Sequence, residues 1–198
     1  MEKKVKFLLI GALIFINLAP SFAFAQTIKV RSAKNGKVKI IKEKLSSVIN
    51  LSKDLSGCPL VYDGSAPKER KVDVTKFELL DAIKKRNSTY LVLLATMGGN
   101  CNIQGECGAT EDSTLVWLKL DQRLKAKNKK AVAIDSCRYN RVELVSPVEL
   151  VNGELKVEYS EIHYGEKREF EFYTLTYKRN EAEKGLMIIT EKRNITKN

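Results

Sequence analysis

Two apolar runs, Tyr90-Leu91-Val92-Leu93-Leu94 and Leu115-Val116-Trp117-Leu118-Lys119-Leu120, flank a loop rich in glycine and cysteine at residues 98–113. Neither run alternates cleanly with polar residues. Each therefore needs cover on both faces, as a central strand does and a half-wetted strand does not. Together they predict an antiparallel pair with a long connection at the middle of a layered β protein. The rest of the chain is left to supply the covering layers.

Elsewhere the alternation is cleaner. Ile28, Val30, Val38 and Ile40 alternate with polar residues around Asn35-Gly36, the preferred centre of a two-residue type I′ turn because both positions need positive φ. Asn152-Gly153 repeats that signal ahead of Leu155, Val157 and Tyr159, which alternate with Lys156, Glu158 and Ser160. Thr75 followed three residues later by Glu78 reads as a capping box, and Phe77, Leu80 and Ile83 have helical spacing, so a helix is predicted over 76–86. Leu45, Val48 and Ile49 fit a second short helix within 43–57. From Phe170 and Phe172 to Tyr173, Leu175 and Tyr177 the apolar parity switches, which predicts a β-bulge in 168–178. The expected fold class is α+β, predominantly antiparallel β, a sandwich or partly closed barrel of about nine strands with one or two short helices.

The beginning of the chain speaks to destination. Lys3, Lys4 and Lys6 precede an apolar run from Phe7 to Leu18, then Pro20 and Ala23-Phe24-Ala25. This is the n-region, h-region and A-x-A site of a secretory signal peptide over residues 1–25, with cleavage expected before Gln26. No later run reaches the roughly 18 to 20 apolar residues of a spanning helix, so no transmembrane segment is expected after cleavage. Residues 26–198 are then expected to form one disulfide-stabilised β-rich domain in a periplasm or secreted outside the cell.

Four cysteines, an even count in an exported chain, point to disulfides and allow three connectivities. Cys101 with Cys107 would close a small ring and leave Cys58 with Cys137 as the long-range staple; pairing Cys101 or Cys107 with Cys137 is the alternative. The same loop has a calcium-like spacing. Asn100, Asn102 and Gln104 stand at positions 1, 3 and 5, Gly105 at 6 and Glu111 at 12 of a twelve-residue loop. These ligands are mostly neutral and the flanking elements read as strands, so the pattern supports at most a weak site, set against a disulfide-pinned turn.

Motifs for chemistry are otherwise sparse. The single histidine, His163, leaves any cysteine nucleophile without an evident base and any zinc site short of ligands. No P-loop, dinucleotide fingerprint, GxSxG or HExxH is present, and no cofactor is expected. Glu158, Glu161, Glu169 and Glu171 fall on late strands and offer carboxylate pairs for a hydrolase, although alternation sends Glu158 outward.

Charge gives the remaining signal. The chain carries a formal +11, concentrated in its front half, while Glu106, Glu111 and Asp112 make the cysteine loop acidic. A basic face suits an anionic envelope polymer, lipid head groups or an acidic protein, and equally suits a plain solvated surface. Nucleic acid is not expected, because no binding motif accompanies the charge. Trp117, Lys119 and the nearby Arg123 would form an aromatic and cationic patch if the indole lay on an open face. Cover by the helix expected at 76–86 is the competing reading.

The leading functional expectation is an exported, non-enzymatic protein that binds an anionic envelope component or partner protein through its basic face. A carboxylate-based hydrolase, an enzyme inhibitor and a structural envelope protein are the alternatives.

Overall fold

The computed structural model describes residues 27–55, 74–98, 111–137, 141–164 and 168–192. Strands β1 (Ile28–Ala33), β2 (Lys37–Lys42) and β3 (Leu45–Asn50) form a three-stranded antiparallel sheet in sequence order. A second sheet of nine strands takes in β4 (Val74–Lys85), β5 (Ser88–Met97), β6 (Asp112–Leu120), β7 (Ala126–Cys137), β8 (Arg141–Leu144), β9 (Leu150–Val151), β10 (Glu154–Tyr164), β11 (Arg168–Lys178) and β12 (Met187–Lys192). Its spatial order is β12-β11-β10-β8-β7-β6-β5-β4, with β9 paired to β10. The antiparallel β architecture is as expected. The nine-stranded sheet does not close into a barrel, because β4 and β12 end it as unjoined edges.

The two inner runs are β5 and β6, paired antiparallel from Thr89 opposite Leu120 to Met97 opposite Asp112. They are covered on both sides. Leu91, Leu93, Val116, Leu118 and Leu120 join Val38, Ile40, Ile49, Leu51 and Leu55 in one core beneath the small sheet. Val92, Leu115 and Trp117 join Leu155, Val157, Tyr159, Leu175 and Tyr177 in a second core, so β10 and β11 fold back over the opposite face. Leu91, Val92 and Leu93 are all fully buried, and each such side chain contributes about 1.5 to 3 kcal/mol. The fold-back has a local cause. β7 pairs with β6 as far as Asp135 and with β8 from Ser136, and a register shift marks this end of the β6–β7 ladder. A bulge bends its strand and steepens the twist.

Both helices expected from the sequence are strands. Residues 76–86 fall in β4 and the turn after it, and β4 contains a bulge between Leu79 and Asp81. Phe77 and Leu79 belong to the first core, whereas Leu80 and Ile83 pack on the second. The extra residue at the bulge resets the alternation and leaves apolar residues three apart, which imitates a helical stripe. Residues 45–50 are β3, with Leu45 and Ile49 on the side of the first core and Val48 on the exposed side, so the supposed helical face is divided between two sides of a strand. The one helical segment among the described residues is a short 3-10 helix at Arg179–Lys184. No bulge interrupts β11, whose register with β10 runs unbroken from Glu154 opposite Lys178 to Tyr164 opposite Arg168. Its parity change reflects apolar residues on both faces, with Phe170 and Phe172 only partly buried on the side away from Leu175 and Tyr177.

The Asn-Gly turns divide. Asn152 and Gly153 have φ of 52° and 78°, and Val151 stands opposite Glu154, giving the expected two-residue connection. Asn35 and Gly36 also have positive φ, but the β1–β2 ladder closes with Ala33 opposite Lys37, so three residues form that loop. A two-residue loop would set Arg31 opposite Ile40 and split the apolar face. Burial of Ile28, Val30, Val38 and Ile40 on one side selects the register instead. Gly36 is tightly placed: a Cβ there would lie 2.9 Å from Ser52 Cα. Gly36→Ala is expected to cost roughly 2 kcal/mol. Gly153→Ala, whose Cβ would meet Arg179 Cβ at a looser 3.3 Å, is expected to cost about half that. Equal losses in urea unfolding would rule out the Ser52 contact as the cause.

Candidate functional site

The register of the small sheet decides where its charges go. Arg31 lies directly opposite Lys39, and Ala33 opposite Lys37. With Val30, Val38 and Ile40 turned into the core, Lys29, Arg31, Lys37 and Lys39 occupy the outer face and are exposed. Across the β2–β3 ladder the same face continues with Ser46 opposite Ile41, Val48 opposite Lys39 and Asn50 opposite Lys37. Among the described residues, none of Lys29, Arg31, Lys37 and Lys39 has an ion-pair partner. Like charges placed directly opposite each other on a sheet are destabilising. The Arg31 and Lys39 pair is therefore a place where an incoming anion relieves repulsion.

The turn between β6 and β7 adds cations of its own. Asp121 Oδ1 accepts from the backbone N–H groups of Arg123 and Lys125 at 2.9 Å each. These bonds and the nearby Lys127 hold its carboxyl below the usual carboxylate range. Leu124, with φ of 60°, is buried in the first core and pins the turn. Arg123 is exposed, and Lys119 stands 6.0 Å from the Tyr90 ring centroid.

Trp117 takes no part in such a surface. It is 4% exposed, stacks on Tyr90 with 6.0 Å between centroids, and donates its indole N–H to the Ala182 carbonyl at 2.9 Å. Cover comes from the 3-10 helix and from Gly185, where a Cβ would sit 3.2 Å from the indole. The helix expected at 76–86 is not what covers it. Lys119 and Arg123 thus contribute charge without the indole, and the aromatic ring beside Lys119 is that of Tyr90.

The carboxylates separate by role. Glu158 forms a surface ion pair with Lys156 at 2.7 Å. Glu161 and Glu171 are direct cross-strand neighbours, and Glu169 is opposite His163 in the same ladder. Glu171 accepts a 2.5 Å hydrogen bond from the Tyr173 hydroxyl, and Tyr173 stacks on Tyr159 at 5.0 Å. Among the described residues no group of three metal-ligating side chains converges. The expected signal peptide, Cys58, Cys101 and Cys107, and the calcium-like positions Asn100, Asn102 and Gln104 lie outside the described residues. Glu111 is exposed just before β6, and Cys137 ends β7.

Tyrosine ionisation follows from these surroundings. Burial, with the charge of Glu161, pushes the Tyr159 hydroxyl up to about 12. Burial and Glu171 raise Tyr173, and burial and Asp81 raise Tyr177. In the unfolded chain each tyrosine ionises near 10, so it releases its proton before the folded chain does. The stability tied to these neutral hydroxyls is complete below pH 10 and is lost as pH rises from 10 through about 12. The buried Tyr159 and Tyr177 each steepen the loss by up to about 1.4 kcal/mol per pH unit in that window, and the half-buried Tyr173 adds less because solvent screens it. Of the seven tyrosines, these three are expected to appear in phenolate absorbance only as the fold is lost. Full titration of all tyrosines with the fold intact would contradict this.

Net charge alone does not single out Lys29, Arg31, Lys37 and Lys39. The signal was available in their alternation with Ile28, Val30, Val38 and Ile40. Which cation faces which depends on the loop length, and the Asn-Gly preference pointed to the other register. Comparison with protein-family models, with curated proteins and with solved structures gave no match to this chain.

Proposed function

We propose that this chain is an exported, non-enzymatic protein that binds an anionic component of the cell envelope, or an acidic partner protein, through the outer face of β1–β3. One observation carries the reading: Lys29, Arg31, Lys37 and Lys39 share an exposed face on a sheet whose other side is buried, and no described carboxylate pairs with them. The signal-peptide pattern of residues 1–25 supplies the compartment, and the basic front half supplies the attraction.

The test is retention on an anionic matrix, on acidic vesicles and on an acidic protein as salt is raised. Replacing all four cations with Gln is expected to weaken binding by tenfold or more. Each basic residue near an anionic surface contributes about 1 kcal/mol at low salt. Unchanged retention of the folded variant would remove this face from the function.

One observation favours a second reading, a carboxylate-based hydrolase: Glu161 and Glu171 are direct neighbours across β10 and β11. Glycoside turnover abolished by Glu161→Gln or Glu171→Gln would establish it. Absence of turnover in the unmodified protein would leave the pair as part of the tyrosine cluster.

A further inference from the structure

We infer that the ligand of the β1–β3 face is a linear polyanion, laid diagonally across the sheet and read by the spacing of its charges. The inference rests on the anion-binding function proposed above. The four cations form one line. Lys29 and Arg31 are next-nearest residues along β1, Arg31 is opposite Lys39, and Lys39 and Lys37 are next-nearest along β2. Successive steps are about 6.8 Å along a strand and about 5 Å across the ladder. The line crosses from β1 to β2 without a gap. A phosphodiester polymer with a three-carbon linker repeats its charge at a comparable distance, so consecutive phosphates can meet consecutive cations.

The flanks fit the same occupant. Val48 is 55% exposed opposite Lys39, and Ile41 lies opposite Lys29 and Ser46, which gives the linker carbons of such a polymer an apolar margin beside the cations. A bilayer fits less well. Residues 28–50 contain no Trp, Tyr or Phe, the side chains that anchor a surface-bound element at the headgroup level. Val48 and the half-buried Ile41, set among cations, offer little to insert.

The test separates spacing from net charge. In the β2–β3 ladder Lys39 is opposite Val48 and Lys37 opposite Asn50. Exchanging both pairs, Lys39→Val with Val48→Lys and Lys37→Asn with Asn50→Lys, keeps composition and net charge. It moves two cations one strand away from Arg31 and breaks the line. Binding is measured by titration with poly(glycerol phosphate), with anionic phospholipid vesicles and with polyglutamate, after circular dichroism and thermal melting show that the fold is kept. The expected result is saturable binding of the polymer by the unmodified protein, tighter than to vesicles or polyglutamate. The exchanged variant should bind the polymer at least fivefold more weakly. Equal polymer affinity for the two proteins would overturn the spacing inference and leave net charge, and the proposed function, in place. Preference of the unmodified protein for vesicles or polyglutamate would overturn the choice of ligand. No binding to any of the three would defeat the proposed function itself. If the double exchange fails to fold, the single exchange of Lys39 with Val48 gives the same reading, with an expected loss of at least twofold.

Discussion

Trp117→Ala is expected to lower the unfolding free energy by about 4 kcal/mol, the largest effect of any single truncation at the inner strands. The indole is 4% exposed between Tyr90 on the neighbouring strand and Gly185 beyond the 3-10 helix. Truncation leaves a cavity at the point where the folded-back half of the large sheet meets β6. It also removes one of the two donors to the carbonyl of the fully buried Ala182, which keeps a 3.3 Å bond from the Gly185 N–H. The lost hydrogen bond contributes about 0.5 to 1.5 kcal/mol. Trp117→Phe keeps most of the apolar volume and loses the donor, so it should cost about 1.5 kcal/mol and isolate the hydrogen bond. Urea unfolding followed by circular dichroism measures both. In the unmodified protein this single tryptophan should emit at short wavelength and resist acrylamide quenching. A loss below about 1 kcal/mol for Trp117→Ala, or free quenching, would mean that the indole is not held in this way.

How much of this was legible in the sequence depends on whether the deciding contact was local. The run Tyr90 to Leu94 announced itself, because apolar residues on successive positions of a strand admit only a place covered on both faces. β4 was misread because its bulge at Leu80 turns two short alternations into residues three apart, and periodicity then counts the wrong repeat. The β1–β2 loop was misread for the opposite reason. Asn35-Gly36 satisfied its local preference for positive φ, yet the apolar face of the whole hairpin settled the register. Trp117 is a case of distance: its cover comes from Ala182 and Gly185, more than sixty residues away. No window around residue 117 contains that information. The candidate site lies between these cases. The identity of its four cations follows from alternation, but their continuity as one line depends on a loop length that only burial of the sheet decides.

Asp81→Ala is the second large expected loss, on the order of 3 kcal/mol. Asp81 stands on β4, at the free end of the large sheet, with its side chain 1% exposed. Its carboxylate receives the Tyr177 hydroxyl at 2.8 Å, Arg179 Nε at 3.1 Å and Arg179 Nη2 at 2.5 Å, and it caps the Ala82 N–H at 2.9 Å. These bonds tie β4 to the end of β11 without a backbone ladder. Beside them Lys85 pairs with Glu183 at 2.6 Å and reaches the Asn180 carbonyl. The edge that would otherwise splay is thus closed by side chains. The contributions are unequal, because the Arg179 side chain is half exposed and can rehydrate when its partner is lost, whereas Tyr177 is fully buried and cannot. The main cost of Asp81→Ala is therefore the stranded Tyr177 hydroxyl. Tyr177→Phe in the same chain should return about 1 kcal/mol of the loss, since it removes the group left without an acceptor. Arg179→Gln alone should cost about 2 kcal/mol, because it leaves the Asp81 carboxylate, 1% exposed, with the Tyr177 hydroxyl and the Ala82 N–H but no cation. A double-mutant cycle over Asp81 and Tyr177, run by chemical denaturation, measures that coupling directly. Additive losses for the two positions would show that the hydroxyl finds another acceptor and that the closure of this edge rests on packing alone.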